Sequence, residues 1–329
     1  MQTTTPPSAR PPAVHVTFPL AGAPFERLAE AGLELDVYPG DPPEPRPRLL
    51  AALGGCDGLL CSLFDRIDAE ALAAGTRLRV VAQFGVGYDN IDLRAATGRG
   101  IVVTNTPDVL TDATAEMAWA LLLAAARRLT EGERILRAGQ WRGWRPDQML
   151  GVGVTGKTLG LVGAGRIGTA MALKSRGFEM QVIYTSPRPN ERLERELAAR
   201  RLSLEALLAE ADFVSLHVPL TSQTRHLIGR GELARLKPTA VLINTARGAV
   251  VDETALVEAL RAGQLAYAGL DVYENEPALA PGLVDLPNVV LAPHLGSATR
   301  QTREAMGLLA VENLTRALSG HPPLTPVRP

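Results

Sequence analysis

The sequence predicts an α/β protein with two doubly wound parallel-sheet domains. Three observations carry this. Short β-branched runs alternate with Ala/Leu-rich segments along the whole chain, the mark of strand–helix units and a parallel sheet. A glycine pattern, Gly163-Ala164-Gly165-Arg166-Ile167-Gly168, stands where one such run meets a helical segment. The length, 329 residues, is long for one core and comfortable for two.

In chain order, "MQTTTPPSARPPA" has neither a charged nor an apolar region, so it is expected to be a disordered tail and not a signal peptide. From Ala13 come the strand "AVHVTF", the helix "FERLAEAG", and the strands "LELDVY", "CDGLLCSL", "LRVVAQF" and "GIVVTNT". "TDATAEMAWALLLAAARRLTEGERILRAG" reads as one long helix, opened by Thr111 or Asp112 and closed at Gly139. A second series follows: "TLGLVGAG", the helix "RIGTAMALKSRG", "MQVIYT", the helix "LSLEALLAE", "DFVSLHVP", "AVLINTARG", the helix "DETALVEALRAGQ", "YAGLDVY" and "NVVLAPH". The last helix, near Arg300 to Leu318, comes after that sheet is complete and is expected to cross back to the first domain.

A net charge of −1 gives no field for nucleic acid or an anionic membrane surface, and no apolar run approaches the ~20 residues of a spanning helix. Cys56 and Cys61 are the only cysteines, too few for a disulfide scaffold, and a reducing cytoplasm is the expected home. His15, His226 and His321 show no partner pattern, and no spacing suggests a metal site.

"GVGVTGKT", Gly151 to Thr158, has the letters of a phosphate-binding P-loop. Its context fails, because a P-loop follows a strand and opens a helix, whereas here a strand follows. The 163–168 pattern has the right context. Gly163 ends a strand, Gly165 lets the backbone approach a pyrophosphate, and Gly168 allows close helix packing. Alone the pattern is weak, and the alternative is a tight turn that binds nothing. Dinucleotide sites that take a free ribose place an acid roughly twenty residues on; here stands "VIYTSPRP", with Ser186 and Arg188 and no acid. A guanidinium favours a 2′-phosphate, hence NADP(H) over NAD(H), with NAD(H) still usable. The alternative is that Arg188 points into water.

Reducing a 2-oxo acid needs a cation for the carboxylate, an acid for the carbonyl oxygen, and a group that keeps that acid charged. Arg247 follows the strand in "VLINTARGAV", Glu276 lies in "LDVYENEP", and His294 ends the last strand in "LAPHLGSAT", between Pro293 and Gly296. Singly, Arg247 reads equally well as a helix-capping Arg, whereas Glu276 reads first as a solvated loop acid and His294 first as a structural His. Together they fall at the end of the sheet where such folds bind ligands, and a Glu beside His294 would stabilise its imidazolium. In the first domain, Gly85 and Gly87 of "QFGVGYDNID" lie in a turn after a strand, where successive amides form a nest for a carboxylate or simply a turn.

These motifs resemble those of the D-isomer-specific 2-hydroxyacid dehydrogenases, above all the glyoxylate/hydroxypyruvate reductases. The resemblance rests on "VGYDNIDL", "VTNTPDVLTDATAEMAWALLLAAARR", "LVGAGRIG", "DFVSLHVPLT", "INTARGAVVDETAL", "AGLDVYENEP" and "APHLGSAT", in family order over nearly the whole chain. It implies a flavodoxin-like substrate domain (1–108), a Rossmann NAD(P) domain (109–295), and a C-terminal helix (296–329) returning to the former. It implies that Arg247 binds substrate, that Glu276 pairs with His294, and that His294 donates the proton. The amides of Val86 and Gly87 would receive the substrate carboxylate. His217, Pro219, Thr245, Ala246 and Asp271, with Gly296, would line the cofactor, and "QWRGWRP" would be a homodimer contact in which Trp144 reaches the partner's substrate site. The expected activity is NADPH-preferring reduction of glyoxylate and hydroxypyruvate to glycolate and D-glycerate. Another short 2-oxo acid, or a non-catalytic nucleotide-sensing corepressor, is the alternative.

Overall fold

The computed structural model describes residues 10–328. Part of the expected N-terminal tail, residues 1–9, lies outside them. Backbone contacts divide the chain into one unit of Met1–Leu110 with Thr299–Pro329 and another of Thr111–Ala298.

The first unit runs β1 (Ala13–Val16), α1 (Ala23–Ala29), β2 (Glu34–Val37), α2 (Arg46–Leu53), β3 (Gly58–Cys61), α3 (Ala69–Ala74), β4 (Val80–Gln83), α4 (Leu93–Gly98) and β5 (Val102–Thr104). Its strands are parallel in the order β2-β1-β3-β4-β5, the flavodoxin-like doubly wound arrangement. Strands β1, β3 and β4 are buried along their whole length, which is why they read as unbroken apolar runs and not as alternating ones. Cys56 and Cys61 are buried thiols. Burial pushes Cys56 up to about 12 and Cys61 well above the usual thiol range, so neither forms a reactive thiolate near neutrality.

The second unit continues with α5 (Thr111–Ala126), α6 (Leu129–Arg137), β6 (Thr158–Val162), α7 (Arg166–Lys174), β7 (Gln181–Thr185), α8 (Glu191–Leu197), β8 (Arg200–Arg201), α9 (Leu204–Glu210), β9 (Phe213–Leu216), α10 (Arg230–Leu233), β10 (Val241–Asn244), α11 (Glu253–Arg261), β11 (Tyr267–Leu270) and β12 (Val289–Leu291). Seven parallel strands take the order β12-β11-β10-β9-β6-β7-β8. The chain reverses direction across the sheet between β6 and β9, the switch point where such folds bind ligands. Two apolar clusters flank the sheet, one around Leu207, Leu242 and Leu256, the other around Trp119, Leu161 and Phe213. The final helix, α12 (Arg300–Leu318), packs Ala310, Val311 and Leu314 against β1, β3 and β4 of the first unit.

One expectation is corrected. The helix expected from Thr111 to Gly139 is broken at Arg128, which takes a left-handed φ of 54°. The returning chain causes the break. The Val152 N–H donates to the Ala126 carbonyl at 2.8 Å, and Gly151 lies so close that a Cβ there would stand 2.1 Å from the same oxygen. An acceptor that would have continued the helix is thereby used. His15 and His226, which show no partner pattern in the sequence, meet acids from distant segments. His15 sits buried between Asp36 (2.9 Å) and Glu44 (2.6 Å), and His226 meets Glu274 at 2.7 Å. Partners contributed by other elements leave no local pattern. The 151–157 segment is irregular, turns at Thr155–Gly156, and enters β6 without opening a helix.

Candidate active site

Arg247, Glu276 and His294 follow β10, β11 and β12, three adjacent parallel strands, at their carboxyl ends. His294 is held in left-handed backbone (φ 55°), a conformation that costs a non-glycine residue about 1 kcal/mol or more and that clusters at functional sites. Its N–H reaches the Asp271 carbonyl at 2.8 Å. Its Nδ1 lies 2.9 Å from Glu276 Oε2, and the other carboxylate oxygen accepts the Tyr273 N–H at 2.8 Å. Both oxygens of Glu276 are thus engaged, one by backbone and one by imidazole.

Asp271 holds the same turn. Its Oδ1 accepts the Leu295 N–H at 2.6 Å and its Oδ2 the Gly296 N–H at 2.7 Å. Burial raises its carboxyl above the ordinary Asp range, against the lowering effect of those amides and of His294. Asp271 and Gly296, expected along the cofactor, are bonded to each other and set the shape of the loop carrying His294. Arg247 Nη1 donates to the Ala246 carbonyl at 2.9 Å, and Asn244 fixes the strand end by accepting from Ala246 N–H and donating to the Arg247 carbonyl. Gly248 brings this segment against the next, because a Cβ there would stand 1.8 Å from the carbonyl carbon of Tyr273.

The residues at the switch point fit a dinucleotide. Gly163 has φ 100°, and a Cβ would stand 2.6 Å from the His217 carbonyl; one on Gly168 would stand 2.2 Å from the Gly163 carbonyl. Both must be glycine for the turn to close. Gly165 is the opposite case, since nothing lies within 4 Å of where its Cβ would be. That leaves space before the N-terminus of α7, whose N-cap, Gly165, contributes no side-chain cap, as a pyrophosphate requires. Asn190 donates to the Ala164 carbonyl (2.9 Å) and Thr169 Oγ1 (2.8 Å), tying this turn to the segment after β7. There the Ser186 hydroxyl donates to the Arg188 carbonyl, Arg188 is exposed, and Arg201 grips the Ser186 and Pro187 carbonyls at 3.1 and 2.8 Å.

Further along the sheet, the Thr245 hydroxyl is buried without a partner among the described residues, an orphan that a bound cofactor would satisfy. His217 Nε2 faces Ser215 Oγ (2.9 Å) and Met171 Sδ (3.2 Å), and burial lowers its pKa to about 4, so it is neutral at pH 7. Pro219 is exposed, its carbonyl accepting from Thr224 at 2.6 Å. In the other unit, Val86 and Gly87 occupy the turn after β4. Trp144 is 80% exposed. Sequence reasoning missed Asn190, Arg201, Asn244 and the Tyr273 amide. Of these, only Asn190 left a signal, as the cap of α8 donated to by Leu193 N–H.

A glycine turn built for a dinucleotide, with a carboxylate-braced imidazole and a guanidinium at the same end of one sheet, defines an NAD(P)-dependent dehydrogenase. Comparison with known proteins makes the class particular. The family model "D-isomer specific 2-hydroxyacid dehydrogenase, NAD binding domain" matches residues 119–296. The glyoxylate reductase of Thermococcus litoralis is 49% identical over 301 residues, 90% of this chain and 91% of that one. The crystal structure of the TT0316 protein from Thermus thermophilus superposes with a TM-score of 0.90 at 50% identity, covering 96% of this chain and all of the other. An NADPH-dependent glyoxylate/hydroxypyruvate reductase from Sinorhizobium meliloti, solved with NADP and malonate, gives a TM-score of 0.84 at 38% identity over 96% of each chain. The chain belongs to the D-isomer-specific 2-hydroxyacid dehydrogenase family.

Proposed function

We propose that this dehydrogenase reduces glyoxylate and hydroxypyruvate to glycolate and D-glycerate, with NADPH preferred to NADH. The observation that carries the reading is the 2.9 Å contact of His294 Nδ1 with Glu276 Oε2 beside the Arg247 strand end; the named activities of the relatives support it.

The nicotinamide, when bound, supplies hydride to the carbonyl carbon. Arg247 orients the substrate. In the first unit, the turn that carries the Val86 and Gly87 amides reads as a carboxylate-binding turn. With Nδ1 turned to Glu276, His294 gives its Nε2 proton to the carbonyl oxygen as negative charge develops there, and Glu276 holds the ring in that orientation. The 163–168 turn holds the pyrophosphate, with His217, Pro219, Thr245 and Ala246 along the rest of the cofactor. The cofactor preference rests on the missing acid after β7 and on the exposed Arg188, which suits a 2′-phosphate. Leu129, Leu136, Trp141, Trp144 and Leu150 are exposed in one stretch of chain, an apolar surface that fits a homodimer; light scattering at the monomer mass would remove that part.

The test follows absorbance at 340 nm over a panel of 2-oxo acids with each reduced cofactor. The highest kcat/KM is expected for glyoxylate and hydroxypyruvate with NADPH. Faster turnover of a bulkier 2-oxo acid, or of any substrate with NADH, overturns the corresponding part.

A further inference from the structure

The turn after β4 has an ordered pattern of carbonyl contacts. The Gly85 carbonyl accepts the Thr106 N–H at 2.9 Å, the Val86 carbonyl accepts Asn105 Nδ2 at 2.8 Å, and the Gly87 carbonyl accepts Gln83 Nε2 at 3.2 Å. In a trans peptide the carbonyl and the following N–H point in opposite directions. Holding these three carbonyls therefore turns the amides of Val86, Gly87 and Tyr88 the other way, and none of the three donates to a protein acceptor among the described residues. Three consecutive outward amides make an anion cradle.

Two of the three holds are side-chain amides, and they are supported differently. Gln83 is fully buried and shares its amide with Asn90 at 3.0 Å. Asn105 stands just beyond β5 and is braced through its backbone. Its carbonyl accepts the Thr325 hydroxyl at 2.6 Å, and its N–H donates to the Thr325 carbonyl at 3.3 Å. Thr325 is in turn fixed by Asn313 of α12, fully buried, whose Oδ1 accepts the N–H groups of Leu324 and Thr325 at 2.8 and 3.0 Å. Val327 N–H adds a bond to the Val103 carbonyl at 2.8 Å.

We infer that Asn105, braced by Asn313 and the segment 324–327, is a positioning residue that aims the Val86–Tyr88 amides at the substrate carboxylate. The inference rests on the reading that this turn receives the carboxylate. Asn105 touches no substrate in this account; it fixes the peptide plane that does.

The experiment uses oxalate, a carboxylate that cannot be reduced, with the full-length protein in the presence of NADP+. Asn105→Ala and Asn105→Asp each remove the donor, one without adding charge. Either is expected to weaken oxalate binding and raise the KM for glyoxylate by about 10- to 100-fold, the worth of one hydrogen bond to a charged group. The kcat is expected to stay within about threefold and the NADPH affinity unchanged, a split that general damage would not give. Thr325→Val, near the surface, keeps the test open should Asn105 variants fold poorly; it is expected to lose about threefold in oxalate affinity, as a loosened brace. Unchanged oxalate affinity in the variants that fold overturns the inference. Hydrogen exchange of the 85–88 amides separates the two levels. If oxalate fails to slow exchange there in the wild type, the carboxylate reading falls. If it slows exchange equally in wild type and Asn105→Ala, Asn105 has no positioning role.

Discussion

A methyl group at Gly248 tests whether the Glu276 loop has to stand where it does. Gly248 follows Arg247 directly, and a Cβ there would be 1.8 Å from the Tyr273 carbonyl carbon, 2.1 Å from its oxygen and 2.2 Å from the Glu274 nitrogen. Ordinary contact begins at 3.4 Å, so Gly248→Ala forces the Tyr273–Glu274 peptide back by about 1.6 Å. Two bonds anchor that segment: the Tyr273 N–H to Glu276 Oε1 and the Glu274 N–H to Glu253 Oε1, at 2.8 and 2.7 Å. A shift of this size carried to Glu276 stretches its 2.9 Å contact with His294 beyond hydrogen-bonding range. Misplacement by about 1 Å costs on the order of 10²-fold in rate, and overpacking costs about 1–3 kcal/mol of stability. Steady-state NADPH oxidation with glyoxylate is therefore expected to show kcat lower by about 10²-fold. Thermal melting is expected to show a Tm several degrees lower, and NADPH binding is expected to be nearly unchanged. A Gly248→Ala protein with wild-type kcat would refute the reasoning, because the loop would then tolerate the displacement.

His294→Gln is expected to lower kcat by about 10²-fold or more, and near-normal turnover would remove His294 as the proton donor. Arg188→Ala should weaken NADPH while sparing NADH; equal losses for both in a binding titration would refute the phosphate contact. For pH dependence, His217 is held at about 4 against about 6.5 in an unfolded chain. Well above pH 6.5 neither state is protonated and His217 contributes nothing to the pH slope. As the pH falls from 6.5 towards 4, the unfolded chain takes up a proton that the folded one refuses, so stability declines. His217→Gln is expected to remove about 2–3 kcal/mol of the stability difference between pH 7 and 4.5 in urea unfolding; an identical acid limb in both proteins would show that His217 is not the group.

The strands were legible because parallel sheets are buried on both faces, which leaves apolar runs such as "VVAQ" and "VLIN" standing out between helical segments. The placement of Arg247, Glu276 and His294 at one end of the sheet was legible because each follows a strand, Glu276 after a six-residue excursion. The break at Arg128 was not, since it depends on Gly151 and Val152 arriving from elsewhere in the chain. Long-range polar supports were equally hidden. Asn105 and Thr325 are 220 positions apart, and nothing local in either residue announces the other. Asp271 stands on the cofactor side by motif, and the part its oxygens play in accepting the Leu295 and Gly296 amides left no local signal.

Both native thiols are sealed inside the first unit, and this makes the chain a convenient host for spectroscopic labels. A cysteine introduced at an exposed position such as Tyr88 or Arg188 would react with a maleimide dye without competition from Cys56 or Cys61. Fluorescence from the turn after β4 or the segment after β7 is then readable in the otherwise native protein.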